Sequence, residues 1–181
     1  MLITDNVKNT NNLTYTIRSA VEGDALALSE LRLQIDGETE NLDREPGEAF
    51  IDSEGFRSLI KADSESERNL FLVAETNGRL VGFSRCEGTD LKRFRHKVEF
   101  GVGVIKEYWG CGIGKQLLQQ SISWADENGI KKMTLNVMEA NESARKLYEK
   151  LGFEVEGILR NDKQLADGKY YNMLVMGRLN I

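Results

Sequence analysis

Residues 102–115 read Val-Gly-Val-Ile-Lys-Glu-Tyr-Trp-Gly-Cys-Gly-Ile-Gly-Lys, and on this stretch the fold turns. A β-rich run ends in it (Val98, Phe100, Val102, Val104), a glycine turn follows, and apolar residues at helical spacing begin (Ile113, Leu117, Leu118, Ile122, Trp124). Gly110, Gly112 and Gly114 stand at alternate positions between strand and helix. Glycine there lets the backbone turn sharply and come close to a ligand, while the free N–H groups of a helix start attract anions. Lys115 adds positive charge. Read physically, this is either a pyrophosphate-binding turn or a purely structural one, and the residues of the turn alone do not separate the two. It lacks the G-x-x-x-x-G-K-S/T spacing of a P-loop, and G-x-G-x-G is not the G-x-G-x-x-G of a dinucleotide fingerprint. Gly101 and Gly103, inside the strand, mark a bulge or the close approach of a ligand.

Upstream of this element the pattern is strand, helices, strands. Leu13 to Arg18 alternates polar and apolar residues with β-formers, and Ala25, Leu26, Leu28, Leu31 and Ile35 repeat at helical spacing over residues 22–35. Residues 36–48 are acidic, hold the only proline (Pro46), and are expected to be a loop; Phe56, Leu59 and Ile60 suggest a second helix over 53–62. Residues 69–74 form a nearly continuous apolar run, as a buried strand does, and Asn77-Gly78 signals a two-residue hairpin into residues 80–86. Downstream, a helix to about Glu127 ends at Asn128-Gly129, and residues 132–137 form a strand. Asn141 then caps a helix closed by Gly152, and residues 153–159 and 170–179 pair as closing strands. The expected architecture is a single α/β (α+β) domain over 1–181. Its sheet is mixed and mostly antiparallel, with about seven strands splayed at a central bulge and about four flanking helices. Residues 1–12, rich in Asn and Thr, are expected to be a loose tail.

Composition narrows the function. The chain has 181 residues, 40 % of them hydrophobic and 29 % charged, which describes an ordinary globular protein. No apolar run approaches the roughly 20 residues that span a bilayer, and the N-terminus shows no basic start followed by an apolar stretch, so a cytoplasmic protein with no membrane partner is expected. Two cysteines (Cys86, Cys111) and one histidine (His96) make neither a disulfide framework nor metal-ligand spacing, so no metal is expected. A net charge of −5 argues against nucleic acid as partner, and the basic strip Lys92, Arg93, Arg95, His96 and Lys97 reads as a solvated hairpin loop.

The second informative stretch, residues 141–153, reads Asn-Glu-Ser-Ala-Arg-Lys-Leu-Tyr-Glu-Lys-Leu-Gly-Phe. Together with the glycine turn, it resembles the GNAT superfamily, the acetyl-CoA-dependent N-acetyltransferases. Their pattern runs from a Gln/Arg-x-x-Gly-x-Gly/Ala turn to an Asn-x-x-Ala-x-x-Leu/Phe-Tyr-x-x-x-Gly-Phe helix, and both occur here in order. The resemblance covers about residues 14–179 and lies nearest the ribosomal-protein and spermidine acetyltransferase branch. One position departs from it: Trp109 stands where Gln or Arg is usual.

What the resemblance implies is a cleft beside the strand that ends at Val104, with acetyl-CoA as co-substrate. Val102, Gly103 and Val104 would line the pantetheine arm, with the backbones of Val102 and Val104 pairing to it. The backbone of Trp109, Gly110, Cys111, Gly112, Ile113 and Gly114, with Lys115 beside it, would hold the pyrophosphate. Asn141 and Ala144, at the start of the second motif, would meet the pantetheine. Tyr148 matches the family tyrosine that protonates the leaving thiolate; read alone, it is a core residue on an apolar helix face. Glu99 is the candidate base, with a solvent-facing glutamate as its competitor, and Asn136 fills a place where some relatives carry a glutamate. The loop between the first two helices and the closing hairpin usually form the acceptor site. Glu38, Glu40 and Tyr170 are therefore the candidate substrate contacts, although an acidic loop is equally consistent with plain solvation. The reaction implied is transfer of an acetyl group to a primary amine by direct attack in a ternary complex. The acceptor would be an amine-bearing small molecule of cationic character or a protein N-terminus, and a homodimer is expected from the resemblance alone. A non-catalytic acyl-CoA-binding or sensor domain of the same fold is the alternative.

Overall fold

A computed structural model describes residue 3, the backbone of residues 6–10, and residues 13–181. The β-branched and aromatic alternation at the start of the chain forms β2 (Leu13–Ser19), in which Tyr15 and Ile17 point into the core. A 3-10 turn (Glu22–Asp24) leads into α1 (Ala25–Glu38), whose Leu28, Leu31 and Ile35 are buried. Next comes α2 (Ser53–Glu65), started by Asp52, whose side chain accepts from the Gly55 N–H at 2.8 Å. β3 (Leu70–Thr76) is covered on both faces, as its unbroken apolar run requires. Asn77 and Gly78 both take positive φ, 49° and 74°, the geometry that a two-residue turn into β4 (Arg79–Gly88) needs.

The remaining elements are β5 (Lys97–Val104), α3 (Ile113–Glu127), β6 (Lys132–Met138), α4 (Glu142–Lys150), β7 (Glu154–Gln164) and β8 (Tyr170–Leu179). With β1 (Asn6–Thr10) the strands form one eight-stranded sheet in the order β1-β2-β3-β4-β5-β6-β8-β7. Every neighbouring pair is antiparallel except β5 and β6, which run parallel. The helices cover both faces. On one, α2 reaches the sheet through Phe56, Phe71 and Phe83, with ring centroids 6.4 and 6.1 Å apart, and a Cβ on Gly103 would lie 3.3 Å from Ile35 of α1. On the other, Ser84 of β4 meets Ser121 of α3 at 3.4 Å.

Four expectations need correction. The stretch read as a loose tail contains β1, paired over five residues with β2; a backbone ladder at a sheet edge does not require apolar alternation, so Asn and Thr hid it. This raises the strand number to eight. The first helix runs three residues further than expected, so Glu38 closes α1 rather than sitting in a loop. The closing strand β7 continues past Leu159 to Gln164. Finally, β5 keeps an unbroken register with β4 from Val98 to Val104, so its ladder shows no bulge. The register shifts lie instead in the β3–β4 and β7–β8 pairs.

Candidate active site

The site is built where the two parallel strands part. β5 and β6 pair only over Lys97–Glu99 with Lys132–Thr134. Beyond that point β5 follows β4 to Val104 and β6 follows β8 to Met138, leaving a gap that opens toward the carboxyl ends of both strands. The Ile105 N–H donates to Val81 O at 3.0 Å. Antiparallel pairing alternates sides, so Val104 and Val102 turn their backbone groups away from β4 and toward the gap. Gly103, between them, has α1 directly above it, and a side chain there would press on Ile35 and Phe83. In an open sheet with parallel strands, the crevice outside their carboxyl ends, where neighbouring connections diverge, is the natural ligand site. Here both connections end in helix N-termini: α3 follows β5, and α4 follows β6.

Sequence determines how each helix starts. A 3-10 turn (Lys106–Tyr108) leaves β5, then Gly110 and Gly112 take φ of 77° and 82°, left-handed values that favour glycine. Gly112 is the N-cap of α3 and offers no side-chain cap, so the first-turn N–H groups are left for another acceptor. Buried Ile113 anchors the helix start under β4, while Gly114 would have ordinary room for a methyl group, 3.9 Å from Val104. Lys115 is exposed. The Cys111 thiol is half-buried, 3.9 Å from the Trp109 carbonyl. Trp109 folds back so that its indole Nε1–H donates to the Val104 carbonyl at 2.7 Å. At the second helix the Asn141 side chain accepts from the Ala144 N–H at 3.3 Å, and the Asn141 N–H donates to Met138 O, the last residue of β6.

Tyr148 lies two turns into α4, 8 % exposed, with its ring 5.9 Å from that of Phe153. Its hydroxyl has no partner among the described residues, and burial pushes its pKa up to about 12. Glu99 sits on the face of β5 that carries Gly101 and Gly103, the face covered by α1 and α2. It is exposed, stands opposite Glu87 and beside Thr134, and its carboxylate has no partner among the described residues. Glu87 is neutralised by Arg85 at 2.7 Å. Asn136, further along β6, is exposed.

Two of the three expected acceptor contacts are already occupied. The Glu38 carboxylate accepts from the Lys106 N–H at 2.6 Å and from Gln34 at 2.8 Å, tying α1 to the turn that leaves β5. Glu40 accepts from the Ala166 N–H at 2.8 Å. Lys163 of β7 donates to the Leu42 carbonyl and lies 3.4 Å from Asp43, so the closing hairpin is clasped to the loop after α1. Tyr170 is 62 % exposed at the start of β8. Lys163 and the Trp109 indole went unread in the sequence, because their partners are backbone carbonyls, which leave no side-chain pattern. A broad polar groove of about 600 Å³ lies at the other end of β5, lined by Arg68, Asp90 and Arg95 among others, away from the gap.

The sequence pattern of the acetyltransferase (GNAT) family matches residues 36–153. A ribosomal protein bS18 alanine N-acetyltransferase of Haemophilus influenzae is 34 % identical over 114 residues, covering 63 % of this chain and 75 % of that protein. A GNAT-family acetyltransferase of Streptococcus pneumoniae superposes with a TM-score of 0.89 at 29 % identity, over 92 % of this chain and 99 % of that one. A phosphinothricin acetyltransferase of Sinorhizobium meliloti, solved in complex with acetyl-CoA, shares the fold at 21 % identity and a TM-score of 0.79, over 91 % and 88 % of the two chains. The chain belongs to the GNAT acetyltransferase family and is an acetyl-CoA-dependent N-acetyltransferase.

Proposed function

We propose that the gap between β5 and β6 holds acetyl-CoA and that a primary amine enters from the α1–α2 face to attack it directly. The observation that carries this reading is the parting of two parallel strands with a helix N-terminus at each carboxyl end. The residues present suit such a ligand. The edge of β5 offers the backbone groups of Val102 and Val104 to amide groups of an extended arm. The uncapped start of α3, with left-handed Gly110 and Gly112, offers N–H groups to a pyrophosphate. Asn141 keeps one amide N–H₂ free beside Ala144 while its oxygen caps α4.

Acetyl-CoA supplies the acetyl group in activated form, as a thioester. Glu99 takes the proton that the amine must shed as its nitrogen bonds to the acetyl carbon. Tyr148 gives its phenolic proton to the sulfur as the carbon–sulfur bond breaks. Burial raises the phenol to about 12, and a thiolate in an equally dry place becomes more basic for the same reason. The two groups shift in the same direction, which keeps proton transfer in the transition state feasible. The uncompensated carboxylate of Glu99, with Glu45 on the loop after α1, favours a cationic amine or a polypeptide N-terminus. The Haemophilus relative, named for the alanine of a ribosomal protein, supports the latter.

The test is thiol release from acetyl-CoA with a panel of N-terminal peptides, polyamines and other amines, comparing the unmodified protein with Tyr148→Phe and Glu99→Gln. Acceptor-dependent release, lowered about tenfold or more in both variants, is expected. Release that is equal in all three proteins rules out these two roles.

A further inference from the structure

Trp109 is the one named position at which the glycine turn departs from the motif it resembles, and its side chain is 46 % exposed. It is nonetheless fixed, by the indole Nε1–H donated to the Val104 carbonyl at 2.7 Å. That bond spans the 3-10 turn of Lys106–Tyr108 and closes a ring from the end of β5 to the first residue of the glycine turn. The Lys106 ammonium lies 6.0 Å from the centre of the indole ring. A neutral indole cannot attract phosphate by charge, so whatever it contributes is geometric. The carbonyl it binds belongs to the edge of β5 that faces the gap. The bond therefore fixes the distance between that edge and the N–H groups of the turn before any ligand arrives.

The geometry points to Trp109 as a positioning residue for the coenzyme. Its indole N–H locks the phosphate-binding turn onto the edge of β5, so that the stations for the pyrophosphate and for the arm stand at a preset spacing. This rests on the reading above that the coenzyme lies along the gap. A carbonyl oxygen has two lone pairs, so the lock does not use up the acceptor that an amide of the arm would need. Preorganisation of this kind raises affinity by lowering the ordering cost of binding. It acts on coenzyme binding and leaves the chemical step alone.

Trp109→Phe keeps an aromatic ring near Lys106 and removes the N–H together with the smaller ring of the indole. Calorimetric titration with coenzyme A should show binding weakened about two- to tenfold, the worth of one neutral hydrogen bond. The KM for acetyl-CoA should rise in step, with kcat and the acceptor KM unchanged. Equal binding in the variant would overturn the proposal. Tighter binding would overturn it too, showing that the indole blocks the ligand rather than preparing its place. The unmodified protein gives an independent reading. The chain has two tryptophans, and Trp124 is 3 % exposed, so quenching by iodide reports on Trp109. Saturating coenzyme A should shield it; undiminished quenching would place the ligand away from the indole and sink the idea. If the unmodified protein binds no coenzyme A in calorimetry, the reading of the gap itself fails, and that result is separate from a failure of the lock.

Discussion

Tyr148 and Glu99 carry opposite demands on their surroundings. The Tyr148 side chain is largely buried, so the neutral phenol is favoured over the phenolate, and the group stays protonated far above neutral pH. The activity should accordingly show no alkaline fall from this residue between pH 8 and 10, and Tyr148→Phe should lower kcat by about tenfold or more without reshaping that limb. Stability follows from the same shift. The folded-state value near 12 exceeds the ordinary value of 10, so between those values the unfolded chain binds fewer protons. The stability that Tyr148 contributes is complete below pH 10 and is lost as pH rises toward 12. Thermal melts across this window should fall more steeply for the unmodified protein than for Tyr148→Phe. A parallel fall in both would show that the hydroxyl is not buried as described.

At the scale of elements, the turn before α3 separates two uses of glycine. Gly112 takes a φ of 82°, so Gly112→Ala forces a left-handed alanine, at a cost of roughly 1–2 kcal/mol. For a chain of this size, that lowers the melting temperature by about 2–8 °C. Gly114 is helical, a methyl group there would meet only ordinary contact, and the motif takes glycine or alanine at this place, so Gly114→Ala should melt no lower and bind coenzyme A about as tightly as the unmodified protein. Calorimetry beside melting curves separates the two. On the proposed reading, the clasp of Lys163 on Leu42 lies on the acceptor side. Lys163→Met should raise the acceptor KM several-fold while leaving the acetyl-CoA KM alone, because the clasp orders the loop after α1 and touches nothing in the turn.

What could be read from residues alone was whatever depends on neighbours in the chain. Asn77-Gly78, the Asn141 cap and the glycines before α3 impose their φ values locally, and the structure has them in those roles. Glu38 was misjudged because its helix is extended by a partner 68 residues away, the Lys106 N–H. β1 was missed because its ladder is made by backbone, and β7 was cut short because an exposed edge strand need not alternate. The parting of β5 and β6 came from resemblance alone: nothing in either strand's own residues announces that pairing stops after Glu99.

Over the whole molecule, one eight-stranded sheet holds the site, and a ligand seated across its central gap would join the strands on either side. Coenzyme A at a hundred times its Kd should stabilise the fold by about 2.7 kcal/mol and raise the melting temperature by about 5–11 °C. A smaller rise for any variant of the turn would follow its weaker Kd. The strands before the gap, β1 to β5, pair only with their neighbours in sequence, whereas β6 and β8 complete the other side only when the last strand is present. On a chain leaving the ribosome, β1 to β5 are therefore complete, with the outer edge of β5 still unpaired, while more than two fifths of the chain is still to be made. Bare edges invite other chains. This one is Lys-Val-Glu-Phe-Gly-Val-Gly-Val, and its charge and its two glycines make it a poor template for a stranger's strand. The residues that leave the folded enzyme an open seam are also the ones expected to keep a bare β5 edge from pairing with another chain.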